Sequence, residues 1–225
     1  IELSLSTTNI ETKELSWSSS LTLSLMNQKI TRLRNTPNAL DMVAGRGRGN
    51  LVGYPKGSLF SYNFQGLNSH GLPTFDFGLY PTNHGEDANV YSADFSDTQY
   101  TKGYLTYHVP IEPQVIGGLS NTLRYGLWDL TLFITAQVGN KIRLNPTFDP
   151  TFADLNVFSG EYRNRWMNPG DEQHTDVPTI PSQDLINAVG RENIERAYST
   201  YNYSQLRVAD GSFVRLKHVS LGYRV

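Results

Sequence analysis

The sequence predicts an all-β fold, an antiparallel transmembrane β-barrel segment with long loops on one side. Three observations predict it. Side chains alternate between apolar and hydroxyl-bearing with a period of two, very short links take turns with very long ones, and the clearest strand, Ser16 to Met26, carries no charge on either face. Successive side chains of a strand point to opposite faces, so period-two alternation marks a sheet with two unlike surfaces.

Taken in chain order, Ile1, Leu3 and Leu5 alternate with Glu2, Ser4 and Ser6. Leu15, Trp17, Ser19, Leu21, Leu23 and Leu25 then alternate with Ser16, Ser18, Ser20, Thr22 and Ser24. The link 9–14 makes these two runs a hairpin. Strands are expected next at Ser58–Leu67, with Phe60, Tyr62 and Phe64 on one face, and at Pro73–Leu79. A second hairpin follows. Leu119, Asn121, Leu123 and Tyr125 alternate with Ser120, Thr122 and Arg124, then a tight turn at Gly126-Leu127 leads to Trp128, Leu130, Leu132, Ile134, Ala136 and Val138. The last strand, Phe213–Val225, breaks its own pattern, because Arg215 and Lys217 share the parity of Val219 and Leu221. Either a bulge shifts the register there or the strand leaves the membrane.

The links 9–14, 68–72 and 126–127 are short, whereas 34–57, 80–113 and 145–212 are long. Compact soluble domains seldom hold structureless loops beyond roughly 12–15 residues. Bacterial barrels combine short periplasmic turns with long extracellular loops. With the short links on the periplasmic side, every long link falls outside. The lipid-facing set is then Leu21, Leu23, Leu25, Leu119 and Leu123 from odd positions, with Leu130, Leu132 and Ile134 from even ones. Trp17, Tyr125, Trp128 and Tyr223 sit near strand ends, where an aromatic girdle meets the lipid interface. A soluble secreted β-sandwich that binds carbohydrate also alternates, and it stands as the alternative. Inside the last link, Ser182 is placed to cap a helix over 183–189 that Gly190 stops, and Arg191–Tyr198 extends the helical stretch.

Composition narrows the function classes. The formal net charge is -2 over 225 residues, without the basic excess of nucleic-acid-binding domains. With no cysteine there is neither a disulfide framework nor a thiolate metal site. No apolar run approaches the roughly 20 residues of a transmembrane helix. The chain opens directly on a strand pattern, without a signal peptide, and ends mid-strand, so it reads as a fragment.

Candidate chemistry is sparse, and no enzyme is expected. Gly45-Arg46-Gly47-Arg48-Gly49 matches no phosphate-binding spacing and reads as a basic loop. His70, His84, His108, His174 and His218 lack metal-ligand spacing. Glu86, Asp87, Asp94 and Asp97 make an acidic loop without calcium-site spacing. No nucleophile motif occurs, and the carboxylates of 145–212 form no distinctive pair. The expected cofactor and metal content is none. For ligand recognition, Tyr162, Arg163, Arg165 and Trp166 combine aromatic faces with fork-shaped donors, a mixture that grips sugars or peptides. The competing reading makes Trp166 an anchor that packs the long loop against the barrel rim.

Several stretches carry a family resemblance. They are Leu3-Ser4-Leu5-Ser6-Thr7-Thr8-Asn9-Ile10, Val52-Gly53-Tyr54-Pro55-Lys56-Gly57-Ser58, Gly117-Gly118-Leu119-Ser120-Asn121-Thr122-Leu123-Arg124-Tyr125, Asn164-Arg165-Trp166, and Asp210-Gly211-Ser212-Phe213-Val214-Arg215-Leu216-Lys217. In order and spacing the chain resembles the C-terminal part of SusC/RagA-type TonB-dependent outer-membrane transporters. The resemblance implies that residues 1–225 are part of one 22-stranded barrel domain, of which they supply about seven strands, with the plug domain and final strands outside this chain. It also implies uptake of oligosaccharide or peptide cargo across the outer membrane, energised by TonB and lidded by a SusD-like surface lipoprotein.

Overall fold

The computed structural model describes residues 1–44, 49–77, 90–91, 93–98, 101–148 and 159–225. The basic loop 45–48, His84, Glu86 and Asp87, and the end of the expected strand at 78–79 lie outside the described residues. Ten strands are present among the described residues: β1 (Glu2–Glu11), β2 (Leu15–Leu25), β3 (Ser58–Leu67), β4 (Pro73–Asp76), β5 (Leu105–Pro110), β6 (Val115–Tyr125), β7 (Trp128–Val138), β8 (Lys141–Arg143), β9 (Val208–Asp210) and β10 (Phe213–Tyr223). Three helices join them: α1 (Ala39–Ala44), α2 (Gln183–Val189) and α3 (Arg191–Asn202). None of these helices is long and apolar enough to cross a membrane.

The principal sheet is antiparallel, with strand order β1-β2-β6-β7-β10. The link between β1 and β2 is tighter than expected, only 12–14. Thr12 closes it, its N–H donating to Leu15 O at 2.8 Å and its Oγ1 accepting from Leu15 N at 2.9 Å. Gly126 turns the second hairpin with φ +56°, which a two-residue loop matching strand twist requires and a side chain resists. These two turns lie side by side, since Gly126 N donates to Glu14 O and Arg224 N to Leu127 O, both at 2.9 Å. At the opposite end, Met26 N donates to Gln114 O at 2.8 Å and Gln114 N to Val138 O at 3.1 Å. Both long excursions, 26–114 and 139–212, therefore leave the same edge.

Two of the seven expected wall strands belong elsewhere. β3 and β4 pair with β5 in a separate three-stranded sheet of order β4-β3-β5. Leu59 and Ser61 on one side of β3 are as buried as Tyr62 on the other. Alternation reports two unlike faces but not what covers them. Here the cover is α3 and the surrounding loop, so the body is an aromatic core and not a lipid-facing wall. Tyr62, Phe77, Phe95 and Tyr104 meet largely edge to face, and Phe148 makes T-shaped contacts with Tyr162, Tyr198 and Tyr201. The 68–72 turn also sits in this body and not beside the other short turns. Its Gly71 backs onto Trp166, and Thr179 N donates to Gly71 O at 3.0 Å.

The helices follow their sequence signals. Ser182 Oγ accepts from Leu185 N at 3.2 Å at the start of α2, and Gly190, with φ +92°, ends it. α3 runs to Asn202, four residues further than the sequence suggests, because Ile194, Ala197, Tyr198 and Tyr201 give it a buried stripe.

Candidate functional site

The candidate site is the pair of surfaces on the five-stranded sheet, together with the loop body at one of its ends. Register places Leu3 against Leu23, Leu5 against Leu21, Leu21 against Leu119, Leu119 against Ile134, and Leu132 against Val219. These side chains share one face, and it is uncovered: Leu3 is 53% exposed, Leu221 66% and Val214 74%. The opposite face carries Ser4, Ser6, Ser18, Ser20, Thr22, Ser120, Thr122, Thr131 and Thr135. Ser6 and Ser20 share a hydrogen bond of 3.2 Å across this face, and the hydroxyls between them line a shallow concavity.

The last strand resolves its parity conflict by a bulge. Leu216 faces Ile134, but His218 faces Phe133, so Lys217 is the extra residue. Val214 and Leu216 before the bulge, and Val219, Leu221 and Tyr223 after it, consequently share the apolar face. Arg215, His218 and Ser220 fall on the polar face. Trp128 and Tyr223 pair at the short-turn rim with ring centroids 4.7 Å apart. Beside them, Asp129 takes hydrogen bonds from Arg124 Nε at 2.9 Å and Arg224 Nε at 3.1 Å.

The four sequence-predicted ligand residues are close in space but unequal in role. Tyr162 is buried against Phe148. Trp166 packs so tightly on Gly71 that a Cβ there would lie 2.6 Å from the indole, and its Nε1 donates to Glu172 at 2.8 Å. That bond and the Gly170 amide hold the Glu172 carboxyl below its ordinary pKa. Arg165 is half-buried and donates to Tyr162 O at 3.0 Å, which leaves Arg163 the exposed member. Trp166 thus anchors the loop through its own contacts.

Sequence reasoning passed over the buried cations. Arg207, 6% exposed, pairs with Glu161 at 2.5 Å and donates to Asn145 O at 2.6 Å, tying the 160–164 turn to the start of β9. Arg143 reaches Phe60 O and lies over the Tyr203 ring, with its centroid 5.3 Å away. Burial pulls its pKa down to about 10. His108, bonded to Ser61 Oγ at 2.7 Å, is held below its usual pKa first by burial and then by the charges of Arg143 and Lys141. No local pattern marks these residues: Arg207 and His108 are lone basic residues in sequence, and Lys141 two positions before Arg143 gives no sign that the arginine is buried. Among the described residues, no three His, Asp or Glu side chains gather where they could hold a metal ion. Asp94 instead accepts Ser96 N and Oγ, a local turn.

No protein-family model matches the chain. Over its whole length it is 26% identical to TonB-dependent receptor P3 of Formosa agariphila, of which it covers 21%. Among solved structures it resembles the RagAB peptide transporter at 21% identity and TM-score 0.63, covering 99% of this chain and 22% of that one. The RagAB peptide importer in its open-open state gives 20% identity and TM-score 0.59, covering 99% and 21%. The chain thus spans about a fifth of the length of the relatives it matches. The fold class is an all-β assembly of antiparallel sheets similar to part of the RagAB peptide transporter. Within that class, the resemblance to SusC/RagA-type TonB-dependent receptors read from the sequence is borne out.

Proposed function

We propose that this chain is a wall segment, with its extracellular cap, of an outer-membrane TonB-dependent transporter. The carrying observation is the five-stranded sheet whose apolar face is uncovered across all five strands while its other face is polar and, away from the rim, nearly uncharged. A membrane strand needs both: lipid requires an apolar exterior, and a hydrated lumen tolerates hydroxyls. Closing the sheet into a barrel with strands from the rest of the protein would pair the free edges of β1 and β10. The chain would then be part of a single barrel domain, with plug and final strands contributed from beyond it.

The transporter's role is to bind, enclose and release, without bond cleavage. The cargo we assign is oligosaccharide or peptide, passed on by a SusD-like surface lipoprotein and driven by TonB. The names of the relatives, a TonB-dependent receptor and a peptide transporter, support the TonB and peptide parts of this assignment, and the family resemblance in the sequence supports the oligosaccharide and lipoprotein parts. Within this chain, a cargo contact at Tyr162, Arg163, Arg165 and Trp166 would rest on the two arginines, because the aromatic rings are engaged elsewhere. The alternative, a soluble carbohydrate-binding sandwich, would need a second sheet over the apolar face. The β4-β3-β5 sheet buries its surface against α3 instead.

Fractionation tests the reading. The intact protein should sediment with outer membranes, resist carbonate extraction and migrate faster on gels before heating than after. Recovery as a soluble monomer without detergent would overturn it. Arg163→Ala together with Arg165→Ala should then lower uptake of the cognate cargo while leaving the barrel folded.

A further inference from the structure

The apolar face of the sheet has one interruption. Thr7, Asn9, Ser19 and Asn121 lie together across β1, β2 and β6, hydrogen-bonded in series. Thr7 Oγ1 donates to Asn9 Oδ1 at 2.9 Å, Asn9 Nδ2 to Ser19 Oγ at 2.7 Å, and Ser19 Oγ to Asn121 Oδ1 at 2.7 Å. Trp17 Nε1 donates to the same Asn121 oxygen at 3.1 Å. Asn9 is the extra residue of a bulge between Thr8 and Ile10, and the bulge delivers its amide to the face of Thr7 and Ser19. Strand pairing alone does not need this arrangement.

The inventory of donors and acceptors is unbalanced. Asn121 Oδ1 already accepts two hydrogen bonds, whereas Asn121 Nδ2 donates to no group among the described residues, and Asn9 Nδ2 uses only one of its two hydrogens. A donor that faces hydrocarbon without an acceptor is strongly disfavoured. The depth of the notch indicates which acceptor is available. Ser19 is one side-chain step inward from Trp17, about 6–7 Å along the strand and about 5 Å along the membrane normal at barrel tilt. Aromatic girdles sit at the interface, so the notch lies just beneath it in the short-turn leaflet. That is where glycerol lipids keep their ester carbonyls, which accept hydrogen bonds and donate none. No charged side chain belongs to the notch, so it offers nothing specific to a phosphate.

We propose that this notch is a binding site for one glycerophospholipid of the short-turn leaflet. An ester carbonyl accepts from Asn121 Nδ2, with Asn9 Nδ2 beside it, and the acyl chain runs over Leu21 and Leu119. This site rests on the reading of the sheet as a membrane wall.

The test uses the intact protein in lipid nanodiscs made from ester-linked phosphatidylethanolamine or from its ether-linked analogue with the same chains. The ether lipid lacks only the carbonyls. Native mass spectrometry should find one lipid retained about three- to tenfold more tightly in the ester form, as loss of one hydrogen bond implies. Asn121→Leu should equalise the two lipids. Equal retention by the unaltered protein, or an ester preference that survives Asn121→Leu, overturns the site while leaving the wall intact. Failure of the unaltered protein to enter either disc overturns the wall reading and the site with it.

Discussion

Arginine placed on either side of the β10 bulge gives a test that simple alternation would answer differently. Leu216 and Val219 have opposite parity in sequence, yet register sets Leu216 against Ile134 and Val219 against Leu132 on one apolar face. Leu132 is four residues from Trp128 at the girdle, about 13 Å along the strand and roughly 10 Å deep at a tilt near 40°. Ile134 is two residues deeper. In an apolar band about 25 Å tall, both positions are near the middle, where an arginine costs about 2–4 kcal/mol. His218→Arg and Ser220→Arg project to the polar face, away from lipid, and should cost much less. The assay is urea titration of the intact transporter refolded into liposomes, with the heat-dependent gel shift as the measure of the folded barrel. Leu216→Arg and Val219→Arg should both lower the midpoint, and the two polar-face variants should not. If Val219→Arg behaves like Ser220→Arg while Leu216→Arg is costly, the bulge is misplaced. If all four cost the same, the sheet has no lipid side.

The loop body offers three further tests. Gly71→Ala forces a Cβ to within 2.6 Å of the Trp166 indole at a φ of +72°, so it should destabilise the 159–182 segment by about 1–3 kcal/mol; hydrogen exchange should rise there and stay unchanged in β6 and β7. Removing the Glu161 carboxylate by Glu161→Ala strands the buried Arg207 guanidinium. Because Glu161 is itself 43% exposed, the expected cost is only about 1–3 kcal/mol, read as faster limited proteolysis near 159–164. His108 has a folded-state pKa below its unfolded value near 6.5, so the unfolded chain binds a proton first. The loop body should therefore lose stability as pH falls from about 6.5 towards the folded pKa, then level off. His108→Gln should flatten that segment of the pH profile of loop-body melting.

Much of the sheet was legible in residues that face a uniform environment. Leu15 to Leu25 and Trp128 to Val138 alternate, broken only at Ser19 and Phe133, because unlike surroundings on the two faces impose a period of two. The loop polarity was legible in part: the two excursions and the two tight hairpins sit at opposite ends, but the short 68–72 turn belongs to the loop body. Ser182 and Gly190 announced the ends of α2 through local capping chemistry. The strands of the loop body were legible only as strands. Phe60, Tyr62 and Phe64 show the same alternation as a membrane strand, and nothing local tells an aromatic neighbour from a lipid chain.

What the amino-acid sequence determined by itself was set by near neighbours: which segments are strands, which side chains share a face, and where turns and caps fall. Tertiary structure decided everything that depends on pairing across the chain. It set β3 and β4 apart from the five-stranded sheet, spent Lys217 as a bulge so that β10 could keep one apolar face, and assigned Trp166 to Gly71. It also brought Asn9, Ser19 and Asn121 into one hydrogen-bonded notch across three strands. Alternation is a property of a strand alone, whereas register and cover are properties of the strand's partners, and those are chosen only when the chain folds.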